Sequence, residues 1–294
     1  MKVSVVIVNY NTFQLTCNCI ASVMEYTKLV DYEIIVVDNA STESNPKLFK
    51  EKFPQVVLVE SKINGGFAKG NNWGIEQSSG EYILLLNSDT YLKEDSISIA
   101  ANTLENNNQI GVVGARMLYP DGGLQFSARK FRTIQWELLD VFRFILLALP
   151  YKKRAVLMLG KYFKADFNTF SDWVNGAFFM FPKQLLDKLP DNKLNERFFM
   201  YGEDQLWCYQ FNQLGFKSYF LADTTIIHIA NASTSPNKIL QLILTIIKNE
   251  LEIMKIRKGK GFYYYFFCSV YLAKEYSRYA IKYLLFKFSG KLLR

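Results

Sequence analysis

Residues 81–89, Glu-Tyr-Ile-Leu-Leu-Leu-Asn-Ser-Asp, form a short apolar run that ends in a carboxylate. Such a run reads as a buried strand, and Asp89 then falls on the rim of a sheet, where it can hold a hard cation against a phosphate. The same pattern occurs twice upstream. Val3 to Val8 ends in Asn9-Tyr10-Asn11, and Glu33 to Val37 ends in Asp38-Asn39. Helical stretches are expected at 12–26, near 47–53, through Trp73 to Ser78 and over 95–106, with further strands at Val56–Val59 and Ile110–Ala115. This β-α-β alternation predicts an α/β fold with a mostly parallel sheet and right-handed crossovers.

After the turn Pro120-Asp121-Gly122-Gly123 the pattern changes. A basic, aromatic segment covers 129–164. The apolar run Phe178 to Phe181, a helix over 182–189 and a helix from Gln205 to Leu214, closed by Gly215, follow it. Two strands, Lys217–Leu221 and Thr225–Ile229, complete the body, and a basic helical tail runs from Lys238 to Arg294.

Half of the 294 residues are hydrophobic, which excludes global disorder. The net charge of +8 is unevenly placed: residues 129–164 carry +7 and residues 238–294 carry +9, which leaves an acidic body of −8. The two basic segments are rich in aromatics and too short in apolar length to span a bilayer. That pattern suits helices lying on an anionic membrane surface, although solvated core helices remain the plainer reading. Four cysteines without a CxxC pair suit a reducing compartment, and a single His makes a zinc site improbable. Met1-Lys2 runs straight into a strand, so no secretory signal is expected. The acidic body and the lack of a recognisable module argue against nucleic acid.

Several residues could carry chemistry. Asp38 could accept from a ribose hydroxyl or a base N–H, or merely fix an Asx-turn. Asn64-Gly65-Gly66 through Gly74 is a glycine-rich turn opening a helix, suited either to a phosphate or to tight packing; it is neither a GxGxxG fingerprint nor a P-loop. Glu203-Asp204 could open a helix or supply a general base. His228 could be a satisfied core residue or a partner of Asp89 around a cation.

Taken together, Val-Ser-Val-Val-Ile-Val-Asn-Tyr-Asn at 3–11, Val-Val-Asp-Asn-Ala-Ser-Thr at 36–42, Asn-Gly-Gly-Phe-Ala at 64–68, Leu-Leu-Leu-Asn-Ser-Asp at 84–89, Gly-Ala-Phe-Phe-Met at 176–180 and Phe-Phe-Met-Tyr-Gly-Glu-Asp at 198–204 resemble family 2 inverting glycosyltransferases, especially their bacterial rhamnosyltransferase-like branch. The resemblance implies a single A-type, Rossmann-like fold with C-terminal basic amphipathic helices. It divides into a nucleotide-sugar half (1–115), an acceptor and catalytic half (116–235) and a membrane-associating tail (236–294). It implies that Asn9, Tyr10, Asn11 and Asp38 hold the base and ribose, and that Asn64, Gly66, Asn72 and Ser88 contact the donor. Trp173 and Gly176 would lie where donor sugar and acceptor meet. Asp89, assisted by His228, would hold Mg²⁺ or Mn²⁺, and Asp204, with Glu203 beside it, would be the base. Two positions depart from the family pattern: Asn87 stands where a stricter motif has Asp, and Leu206 replaces a second carboxylate.

The expected reaction is a single displacement from dTDP-rhamnose or a UDP-hexose to a lipid-linked glycan, at the cytoplasmic face of the membrane. Self-association is left open. A sugar-nucleotide pyrophosphorylase would need a longer glycine-rich loop with Arg after the first strand, in place of Asn9-Tyr10-Asn11-Thr12. A non-catalytic glycan-binding partner is the other alternative.

Overall fold

The computed structural model describes residues 1–230 and 239–289, so the boundary expected at 235–236 lies outside the described residues. The strands are β1 (Lys2–Asn9), β2 (Asp31–Asn39), β3 (Val57–Ser61), β4 (Tyr82–Leu86), β5 (Thr90–Leu92), β6 (Ile110–Leu118), β7 (Leu124–Gln125), β8 (Ala128–Arg129), β9 (Thr169–Ser171), β10 (Trp173–Val174), β11 (Phe178–Pro182) and β12 (Lys217–His228). The helices are α1 (Phe13–Tyr26), α2 (Leu48–Lys52), α3 (Gly66–Glu76), α4 (Ser96–Glu105), α5 (Ile134–Val141), α6 (Tyr151–Leu157), α7 (Glu203–Gln213), α8 (Ile239–Lys258) and α9 (Phe262–Ser289).

The main sheet runs β3-β2-β1-β4-β11-β6-β12-β5, with β7 beside β6 and β9 beside β12. Strands β1 to β4 are parallel, as are β6 and β12. Helices cover both faces, which is why β4 is apolar at every position. Leu84 and Leu86 pack with Ile20 of α1 and Ile97 of α4, while Ile83 and Leu85 pack with Ile75 of α3 and Trp207 of α7. This is the expected mostly parallel α/β architecture, and residues from both expected halves share the one sheet.

Four expectations change. Strand β11 enters antiparallel between β4 and β6, a reversal that the alternation did not signal. The two strands expected at 217–229 are one strand, β12, with a register shift between Leu221 and Thr225. There the Thr224 hydroxyl bonds Glu94 and Ser96 and carries the chain across the irregularity. The helix expected after Pro182 is a 3₁₀ turn, Lys183–Lys188. Finally, the two basic segments form one unit. Ile134 of α5 packs with Met254 of α8 and with Phe267 and Tyr271 of α9. Phe142, Phe144, Ile145 and Leu147 remain exposed on its flank. Among the described residues no helix is long and apolar enough to cross a membrane.

Candidate active site

Two strand pairings bring the first half of the site together. His228, at the end of β12, pairs with Thr90 of β5, and the Ile229 N–H donates to the Asp89 carbonyl at 3.0 Å. The His228 Nε2 thereby lies 3.3 Å from Asp89 Oδ1. Gln125 sets the tautomer: its Nε2 donates to the His228 carbonyl, so its Oε1, 2.8 Å from Nδ1, must accept the ring proton. The Nε2 lone pair then faces Asp89, with the Asn87 amide 3.4 Å away. Two lone-pair atoms this close can share a bound cation. Asn87 Oδ1 is buried beside them with no partner among the described residues.

The donors fit Mg²⁺ or Mn²⁺ in kind, being oxygen and imidazole. No cluster of three His, Cys, Asp or Glu exists among the described residues, so any cation there would need phosphate or water to fill its shell.

The second half is reached through β11. Its pairing with β4 puts the Asn87 N–H 3.1 Å from the Ala177 carbonyl, and the next residue back, Gly176, donates to Asp204 Oδ2 at 3.1 Å. The Gln205 N–H donates to the other carboxylate oxygen at 2.8 Å. Asp204 is thus aimed by two backbone bonds at the start of α7, whose Trp207 and Phe211 are fixed in the core. Burial raises the Asp204 pKa against the lowering effect of these N–H groups and of Arg129. Glu203 is raised by burial and by the Asp204 charge, and its Oε2 has no partner among the described residues.

Both halves open into one cavity of about 550 Å³. Tyr10, Asn64, Gly66, Ser88, Asp89, Trp173, Gly176, Glu203, Asp204 and His228 all line it. Asn9, Asn11, Asp38 and Asn72 are not among the lining residues. Asn9 donates to Asp38 at 2.8 Å, and Asp38 accepts the Ser41 N–H, so this buried pair locks the β1 and β2 ends. Asn11 accepts from the Thr42 N–H. Asn72 bonds the Leu194 carbonyl and Glu196, which pins the loop before α7.

The glycine-rich turn is likewise not a phosphate cradle. The N–H groups of Gly65, Gly66 and Phe67 are taken by Asn39, Asn64 and the Phe199 carbonyl. Gly66 is required because its φ is +80° and a Cβ would collide with that carbonyl. Gly74 is required for packing, since a Cβ would collide with Val6.

Sequence reasoning missed part of the wall. Asn39 rather than Asp38 faces the cavity, and Thr12 joins Ser88 at 3.0 Å. Arg129, Lys130, Arg132 and Lys161, within the basic segment expected to meet a membrane surface, line the cavity, as does Glu250 of α8. Leu206, in place of a second carboxylate, packs with Phe198 and with Ile253 of α8. A hydrophobic contact therefore docks α8 against α7 at that position.

The profile described as glycosyl transferase family 2 matches residues 4–170, more than half of the chain. The chain is 38% identical over 102 residues to the poly(ribitol-phosphate) beta-glucosyltransferase of Bacillus spizizenii, which covers 33% of this chain and 16% of that protein. It is 30% identical over 129 residues to glycosyltransferase GlyG of Streptococcus pneumoniae, 42% of each. The matches thus span less than half the length of these curated relatives. Crystal structures of S. aureus TarS 1-349 share the fold. One has a TM-score of 0.55 at 18% identity, covering 99% of this chain and 76% of that one. Another, in complex with UDP-GlcNAc, has a TM-score of 0.53 at 20% identity, covering 85% and 66%. With the A-type fold, the Asp89 strand end and the matched profile in agreement, the chain belongs to glycosyl transferase family 2.

Proposed function

We propose that this protein transfers a sugar from a nucleoside diphosphate sugar to a glycan hydroxyl with inversion at the anomeric carbon. The observation that carries the reading is that Asp89 with His228 and Asp204 with Glu203 face one cavity, although they come from distant parts of the chain. Tyr10 and Asn39 line the donor end, and Trp173 and Gly176 lie toward Asp204. The Asp204 carboxylate, aimed by its two N–H bonds, takes the proton of the attacking hydroxyl. Attack from the face opposite the leaving group inverts the configuration. A Mg²⁺ or Mn²⁺ ion held by Asp89 and His228 would neutralise charge on the departing diphosphate.

UDP-hexoses are the preferred donors, because a neighbour of the same fold was crystallised with UDP-GlcNAc and a sequence relative is a glucosyltransferase. dTDP-rhamnose, the donor implied by the rhamnosyltransferase-like branch, comes second. Incubating UDP-GlcNAc, UDP-glucose and dTDP-rhamnose with the protein and Mn²⁺, without acceptor, should give slow nucleotide release from one of them that EDTA stops. Release from none would remove the reading. Asp89→Ala should weaken Mn²⁺-dependent UDP binding at least about tenfold, the least that even outer-shell partners of a metal show. Unchanged binding by calorimetry would show that Asp89 holds no cation.

The acceptor is a glycan in capsule, O-antigen or cell-wall synthesis, and the enzyme works at the inner face of the membrane. Exposed Phe142, Phe144, Ile145 and Leu147, with Lys152 and Lys153 close by in sequence, suit an anionic lipid surface. The pair Phe144→Ser and Ile145→Ser should reduce flotation with phosphatidylglycerol vesicles. Equal flotation of this variant and the native protein would discard the surface role.

A further inference from the structure

The four cations in the cavity wall are not equivalent. Arg132 is neutralised by Glu137 at 2.9 Å, with Glu250 and Glu275 at 3.8 and 3.7 Å. Lys130 pairs with Asp172 at 3.3 Å. Arg129 and Lys161 have no carboxylate within ion-pair distance among the described residues, yet both line the cavity.

Arg129 is held firmly. It lies in β8 directly opposite Trp173 of β10, with its guanidinium 5.6 Å from the Trp173 ring centre. The Trp173 indole N–H is itself buried without a partner among the described residues. Burial and the nearby Arg132 lower the Arg129 pKa, while Asp204 and Glu250 oppose them, which sets its guanidinium in the field of the base. A half-buried guanidinium with no ion-pair partner, facing a cavity, is stabilised by an anion that enters that cavity.

We propose that Arg129 and Lys161 form an anion subsite for a phosphate group carried by the acceptor, next to the hydroxyl that Asp204 deprotonates. The inference rests on the proposed transfer reaction, in which the donor phosphates lie on the Asp89 and His228 side. The planar donor fork of Arg129 and the point charge of the exposed Lys161, both in the cavity lining, suit a tetrahedral oxyanion. Such a phosphate could come from a phosphodiester-linked polymer or from the diphosphate of a lipid carrier, and the chemistry recognised is the same.

Titration of the full chain, saturated with UDP and Mn²⁺, with dimethyl phosphate, isopentenyl diphosphate or acetate tests this. At least one phosphate probe should bind while UDP stays bound, and Arg129→Gln and Lys161→Gln should each weaken it by about tenfold or more. Preference for the diester points to a polymer, and preference for the diphosphate to a lipid carrier. Lys161 is exposed, so its variant serves even if Arg129→Gln lowers the melting temperature. Displacement by UDP, no binding to the native protein, unchanged affinity in the variants or equal binding of acetate would overturn the subsite. If UDP itself fails to bind but Arg129-dependent phosphate binding persists, the donor reading falls and the subsite stands.

Discussion

Asp204→Asn should lower sugar transfer by about 10²–10⁴-fold, the usual contribution of a positioned general base. UDP binding should survive, because Asp89 and His228 reach the cavity from other elements than the helix that carries Asp204. The amide cannot accept both N–H bonds now made by the carboxylate, so its NH₂ will oppose either Gly176 or Gln205 at a cost of about 1–2 kcal/mol in stability. A melting curve separates that loss from the catalytic one. Retained turnover in single-turnover transfer would remove Asp204 from the mechanism and turn attention to Glu203. The pH profile carries the same logic. Burial favours the protonated acid, whereas the base works as the carboxylate, so activity should fall with decreasing pH at values above the ordinary Asp range. An acid limb at or below that range would contradict a buried base.

Lys274→Met should destabilise the docking of α9 by about 3 kcal/mol, the lower end for breaking a buried ion cluster. Lys274 of α9 is buried against Glu137, and lies 3.1 Å from Asp140, both on α5 and both fully buried. Arg132 and Arg278 remain to compensate part of the lost charge, which keeps the expected effect at that lower end. Burial acts to raise the Asp140 pKa, but the hydrogen bond from Arg278 and the charge of Lys274 prevail and hold it at about 2. A depressed carboxylate stabilises the fold above its unfolded value near 3.8 and ceases to do so as pH falls towards 2. Hydrogen exchange should therefore show α9 amides losing protection over that window. Full protection of α9 in Lys274→Met, or an unchanged melting temperature, would show that the cluster does not hold the helix.

The strand ends were readable because an apolar run stopped by a polar triplet is a local signal. It points to Asp89, which the structure places in one cavity with His228 of a strand and Asp204 at the start of a helix. It does not separate a residue from its neighbour. Of Asn9, Tyr10, Asn11 and Asp38, all expected at the donor, Tyr10 lines the wall, joined there by Asn39 rather than Asp38. Successive residues of a strand point to opposite faces, and which face is the cavity depends on what packs behind it. That Arg129, Lys130, Arg132 and Lys161 line the cavity was not legible for a related reason. Aromatic-basic composition does not say which side chains the β8–β10 ribbon turns inward, nor that α5 packs against α9.

The order of apolar runs and turn residues was enough to establish an α/β chain with acids at strand ends, because helix and strand periodicities are set by near neighbours in sequence. Placing those acids against each other required β11 to insert antiparallel beside β4, so that Asn87 bonds Ala177 and Gly176 holds Asp204. That pairing, like the ion cluster joining α5 to α9, depends on contacts between residues far apart in the chain, whose loop-closure entropy and packing gain are settled only when the whole core forms.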